Sequence, residues 1–235
     1  FTDLALKSTY LSIFLIYYLR IIDKQVKINF LDTLSVYSNN HPNFKITYLD
    51  LKKILEDEET DILRRVNPPK GIAWNSALME NIFATFHGIN TKIPVFLSGK
   101  PGCSKSLAIQ LIYSSLRGEN SKDPYFKTLP RLYMNCYQGS MSSNSSGILS
   151  VFKKARNLIS GNVEKKIGNE FKTEKLISLV FIDEMGLAEN SKNNPLKVLH
   201  AELEPDDEKD RVAFVGISNF KLDASKANRG IFIGR

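Results

Sequence analysis

GKPGCSKS, residues 99–106, and LISLVFIDEM, residues 176–185, are the two stretches on which the reading of this chain turns. The first has the spacing of a phosphate-binding loop, in which glycines let backbone amides close on phosphates. The run Gly99, Lys100, Pro101, Gly102, Cys103, Ser104, Lys105, Ser106 and Leu107 is the expected nucleotide contact, with Lys105 reaching the terminal phosphates. The second stretch supplies acids. Two consecutive carboxylates, Asp183 and Glu184, close an apolar strand at its C-terminal end, where α/β sheets place their chemistry.

Working outward, residues 93–98 (IPVFLS) read as a short buried strand and residues 106–117 (SLAIQLIYSSLR) as a helix closed by Gly118. Strand, loop and helix is the order a phosphate loop requires. One position departs from GxxxxGK[ST]: Ser104 stands where glycine precedes the lysine. A small residue at the opening of a helix is expected to keep helical φ there and still present its amide.

Roles follow from what each side chain offers. Phosphoryl transfer to water relies on positioning and charge stabilisation more than on covalent chemistry. Lys105 supplies a point charge, while Ser106 and Asp183 are the expected oxygen ligands of Mg2+ or its waters. Glu184 is left to orient and polarise the attacking water as general base. Asn219 ends a further strand, VAFVGIS, and either holds that water or the γ-phosphate, or caps a turn.

The 235 residues are 43% hydrophobic, which indicates a globular chain, and they begin at Phe1 and end on an apparent strand, IFIGR. A piece of a longer protein is expected. Its net charge of +7 is moderate and scattered among acids, so nucleic acid is not indicated as a partner. Cys103 and Cys136 cannot build a disulfide framework and lack zinc-ligand spacing, which suits a reducing, cytoplasmic setting. Residues 10–22 (YLSIFLIYYLRII) are interrupted by Arg20 and shorter than the roughly 20 residues of a membrane span; a buried helix is expected instead.

Residues 1–66 read as a helical N-terminal segment, broken from the rest by Asn67, Pro68 and Pro69. The turn cluster NNHPN, residues 39–43, separates an amphipathic stretch, residues 26–37, from the next one. Helical pattern resumes at residues 75–86. Further strands are expected at 131–136, 176–183, 212–217 and from 231, with a helix at 148–159 and polar insertions at 138–147 and 161–175. Strands alternating with helices imply a parallel sheet with right-handed crossovers.

The sequences GLAENS (186–191), NPLKVLH (194–200), FVGISN (214–219) and LDASKANRG (222–230) then carry a resemblance. With NPPKGIAWNSALMEN (67–81) and the serine-bearing loop, they resemble the mysterin family of giant ring-finger proteins, which have a dynein-like AAA+ core. The resemblance covers residues 48–235 and implies an α/β P-loop NTPase large subdomain over 67–235, with a five-stranded parallel sheet in the order 5-1-4-3-2 and no lid. It also implies Asn219 as first sensor and adenine as the preferred base, so ATP with Mg2+ is the expected cofactor pair. Arg229 is implied as the arginine finger serving a neighbouring AAA+ module, with Arg235 as competitor. Residues 138–147 fall where such modules carry a pore loop, for which Tyr137 and Met141 are the candidates; the segment lacks a clear aromatic grip, and a plain connecting loop is the favoured reading. Ubiquitin transfer to protein substrates would belong to other parts of a longer parent. The competing functional reading is a nucleotide-binding switch with little or no hydrolysis; a DNA-acting ATPase is disfavoured by the modest charge.

Overall fold

The computed structural model describes residues 4–40, 45–160, 164–167, 170–173, 175–223, 225 and 228–235. Part of the expected turn at 39–43 and part of the insertion at 161–175 lie outside these residues. The chain opens with three helices, α1 (Leu4–Ile16), α2 (Lys24–Asn39) and α3 (Tyr48–Val66), followed by α4 (Ser76–Thr91). Strand β1 (Val95–Ser98) then leads through the loop into α5 (Lys105–Ser115), a short α6 (Pro124–Lys127) and strand β2 (Arg131–Gln138). Helix α7 (Ser145–Ser160) is followed by β3 (Glu164–Ile167), β4 (Glu170–Thr173) and β5 (Leu176–Asp183). Short helices α8 (Met185–Glu189) and α9 (Leu199–Glu202) precede β6 (Ala213–Ser218) and β7 (Ile231–Gly234).

The main sheet has the order β2-β5-β6-β1-β7, and every pairing in it is parallel. Numbered within that sheet alone, this is 2-3-4-1-5, the expected order seen from the other edge. Among the described residues strands β3 and β4 pair only with each other, as an antiparallel pair inside the expected polar insertion at 161–175.

Two layers of apolar side chains cover the sheet, because alternate strand residues face opposite sides. Val95, Leu97, Val215 and Ile217 join a cluster with α1 to α5, whereas Phe96, Val180, Ile182 and Phe214 join one with α7, α8 and α9. Helix α4 separates α3 from the sheet, which explains why it is apolar on most faces: Leu78, Ile82, Phe83 and Ile89 are all fully or almost fully buried. Each such side chain contributes about 1.5–3 kcal/mol relative to exposure. The expected buried helix over residues 10–22 is shorter than its apolar run: α1 stops at Ile16 and a 3-10 turn takes up Tyr18–Arg20, but Tyr10, Phe14, Leu15 and Leu19 are buried as expected.

Helix ends are specified locally. Asp23 accepts the Val26 amide and Asn75 that of Leu78, while Thr47 and Asp50 form a reciprocal capping box at α3. Asn67 ends α3 in the left-handed region at φ 49°, directly before the two prolines.

Candidate nucleotide site

β1, β5 and β6 end side by side, so the segments that leave them share one rim of the sheet. There a cavity of about 440 Å³ is lined by Pro101, Gly102, Cys103, Ser104, Lys105, Ser106, Leu107, Asp183, Glu184, Ile217, Ser218 and Asn219. Of the nine residues expected on the loop, Gly99 and Lys100 do not line the cavity. Ile217 and Ser218, which lie within FVGISN but carry no expected role, are additional walls.

Lys105 is buried and bends over the loop's own backbone. Its Nζ donates to the carbonyl oxygens of Gly99 at 2.6 Å and Lys100 at 2.9 Å. Burial lowers its pKa, against an opposing pull from Cys103, Glu184 and Asp183. The ammonium therefore sits within electrostatic reach of both acids while its donors are held by backbone oxygens.

Ser104 corrects an expectation. Its φ is 57° and ψ 23°, the left-handed region, not the helical values anticipated for a small residue at that place. Serine thus adopts the conformation for which the motif ordinarily uses glycine. A non-glycine residue held there costs about 1–2 kcal/mol. Gly102, at φ 89°, has the same kind of backbone without that cost.

Glu184, at φ 51°, turns the chain sharply at the end of β5. The turn is fixed twice: Asp183 Oδ1 accepts the Glu184 amide at 2.7 Å, and the Asp183 carbonyl accepts the Gly139 amide at 2.8 Å. Asn219 Nδ2 donates to Glu184 Oε1 at 2.8 Å. Ser106 is exposed on the first turn of α5 and shares the cavity with Asp183, so a hydroxyl and a carboxylate oxygen are available together. Such hard oxygen donors fit a magnesium ion that keeps several of its waters. Among the described residues no group of three or more His, Cys, Asp or Glu side chains is placed to hold a metal ion.

Arg229 lies outside the cavity. Its guanidinium meets Glu204 Oε2 at 2.6 Å and His200 Nδ1 at 2.8 Å. Arg235, the competing arginine, donates to Glu80 and to Asn81 Oδ1 behind the loop. Of the two pore-loop candidates, Tyr137, near the end of β2, packs against the second apolar cluster, while Met141, in the segment 138–147, is exposed. Ser191 and Asn193 both donate to the Ser143 carbonyl, which ties the segment to the chain that follows the acids.

The sequence of the chain has relatives among known proteins. A family model described as the RNF213 AAA domain matches residues 71–235. The chain is 41% identical over 170 residues to the E3 ubiquitin-protein ligase RNF213 of Mus musculus, covering 70% of this chain and 3% of that protein. It is 39% identical over 181 residues to E3 ubiquitin-protein ligase rnf213-beta of Danio rerio, covering 74% and 3% respectively. The chain thus spans about 3% of the length of these relatives. A solved structure of a candidate ATPase from Cytophaga hutchinsonii aligns over 89% of this chain and 55% of its own, at 16% identity and a TM-score of 0.38. Among the described residues no helix is long and apolar enough to cross a membrane.

Proposed function

The chain belongs to the family of RNF213 AAA domains, and from that premise we propose that it binds ATP with Mg2+, hydrolyses it, and drives conformational change within a longer multi-module ubiquitin ligase of the cytoplasm. The observation that carries this reading is the convergence of Lys105, Ser106, Asp183, Glu184 and Asn219 on one cavity. Ser106 and Asp183 would hold magnesium, whose charge offsets that of the phosphates. Lys105 would exchange the Gly99 and Lys100 carbonyls for phosphate oxygens, a trade of neutral acceptors for charged ones. Glu184 would take the proton of an attacking water, and Asn219 would orient that carboxylate. Arg229 would serve a neighbouring AAA+ module, since it does not line the cavity of its own chain. Protein substrates of the ligase would be engaged by other parts of the parent.

A second reading, a nucleotide-binding switch that scarcely turns over, is favoured by two contacts that engage Arg229 within its own chain, one to Glu204 and one to His200. Titration calorimetry and phosphate release on two variants separate the readings. Lys105→Ala should abolish ATP binding, whereas Glu184→Gln should bind normally and hydrolyse on the order of 10² times more slowly or worse. Equal turnover in Glu184→Gln and the unmodified chain would remove Glu184 from the mechanism. Binding without measurable turnover in the unmodified full-length parent would favour the switch.

A further inference from the structure

We propose that Asn81 is a positioning residue for the phosphate loop, a strut that lets serine occupy the left-handed position before Lys105. The inference rests on reading the loop as a nucleotide phosphate site.

Asn81 is fully buried on α4, 22 residues before the carbonyl it holds. Its Nδ2 donates to the Cys103 carbonyl at 2.9 Å, and its Oδ1 accepts from Arg235 at 3.3 Å. Both ends of the amide are therefore used, and the side chain has little freedom to rotate. A trans peptide sets its carbonyl and its N–H in opposite directions. Fixing the Cys103 carbonyl toward α4 accordingly aims the Ser104 amide away from α4.

That amide is one the loop must present. Successive residues of alternating backbone hand form a concave nest of N–H groups for anions, and Ser104 at φ 57° contributes the left-handed member. Glycine would take this conformation freely; serine pays a Cβ penalty and tends to relax out of it. The hydrogen bond from Asn81 opposes the relaxation by tethering the peptide on the N-terminal side of Ser104.

The strut is itself braced. Arg235 also pairs with Glu80, whose other oxygen accepts from Lys27 of α2 at 2.7 Å. The Arg235 backbone amide donates to the Ser98 carbonyl at 2.9 Å, and a Cβ built on Gly99 would lie 2.6 Å from that of Arg235. The base of the loop and the strut therefore share one arginine.

The test is a double-mutant cycle between positions 81 and 104 in the full 235-residue chain. Asn81→Asp keeps an oxygen for Arg235 and removes the donor to Cys103. Two quantities are read: amide hydrogen exchange of residues 102–105 without nucleotide, and affinity for Mg·ATP by calorimetry. Asn81→Asp should speed exchange and weaken affinity, each by about tenfold, the range of one lost hydrogen bond. In a Ser104→Gly background the same change should cost less than about threefold, because glycine holds the conformation unaided. Equal losses in both backgrounds, or unchanged exchange in Asn81→Asp, would overturn the strut. Should Asn81→Asp fail to fold, Asn81→Ser, whose hydroxyl is too short to reach Cys103, takes its place with the same expectations. If the unmodified chain binds no nucleotide, the functional reading fails, while the exchange arm still decides the role of Asn81.

Discussion

The side-chain amide of Asn219 donates to Glu184 Oε1 across 2.8 Å, joining the ends of the adjacent strands β5 and β6. The two residues lie 35 positions apart in sequence, yet each stands one residue beyond its strand. One carboxylate oxygen is thereby engaged, and the side chain loses the rotamer freedom a glutamate ordinarily has. A base held in one orientation is worth more than a mobile one, because proton transfer depends on reach and angle. Asn219→Ala should therefore lower turnover by about 10- to 100-fold while ATP affinity changes by less than about threefold. Phosphate release and calorimetry on the same preparation check this; a large loss of affinity with normal turnover at saturation would contradict the assignment.

Gly139 packs against the backbone of the turn that carries the same carboxylate. A Cβ at this position would lie 2.3 Å from the Glu184 carbonyl oxygen and 3.0 Å from that of Asp183. Both are backbone atoms of the turn that aims Glu184, so no side chain can swing aside to make room. Gly139→Ala should shift the turn and reduce hydrolysis by about tenfold or more, with phosphate-loop binding largely kept. Turnover equal to that of the unmodified chain would mean that the turn yields without moving the carboxylate.

Asp183, Glu184 and Asn219 are legible in sequence because each closes or directly follows a strand whose apolar run announces it, and Lys105 and Ser106 because the loop spacing between β1 and α5 marks them; parallel pairing then brings the strand ends together. The strand order is legible for a similar reason, through the family resemblance carried by GLAENS, NPLKVLH and NRG. Ser104 was misjudged because φ at a loop position depends on where the next helix must start, and small residues are compatible with either hand. Asn81 closes the quoted run 67–81, but nothing in that run marks its role: its partner is a backbone carbonyl reached through the packing of α4, a relationship that spacing does not encode. The β3–β4 hairpin was missed because its short polar strands, EKKI and EFKT, lack the apolar alternation that identifies a strand half-buried in a sheet. Arg229 shows the limit of kinship alone: the resemblance implies a finger, while the arginine's own contacts are to Glu204 and His200.

Helix α4 carries both Glu80 and Asn81, so its first turn matters to the loop. Asn75 Oδ1 accepts the Leu78 amide at 2.9 Å and supplies the cap. Asn75→Ala should destabilise the chain by about 1 kcal/mol, and Asn75→Asp should recover most of that loss. Denaturant unfolding of the three proteins measures it; a cost shared equally by alanine and aspartate would mean that the cap contributes nothing.

Glu59 of α3 gives the fold a dependence on pH. It is buried, and its Oε1 has no hydrogen-bond partner among the described residues. Burial and then the neighbouring Glu80 and Glu56 raise its pKa to about 8, against opposition from Lys27 and Arg235, both of which bind Glu80 instead. Tyr18 faces the same acids and is pushed up to about 12 by burial and then by Glu80, Glu59 and Glu56. Between the ordinary carboxyl value of 4.5 and about 8 the folded chain holds a proton on Glu59 that the unfolded chain has released. Stability must then fall as pH rises through that window and level off above it, with a total change on the order of a few kcal/mol. Glu59→Gln, which is neutral at every pH, should lack this component and gain on the unmodified chain as pH rises from 5 to 9. Urea unfolding at pH 5, 7 and 9 compares the two; parallel stability curves would show that Glu59 is ionised and compensated in the folded chain.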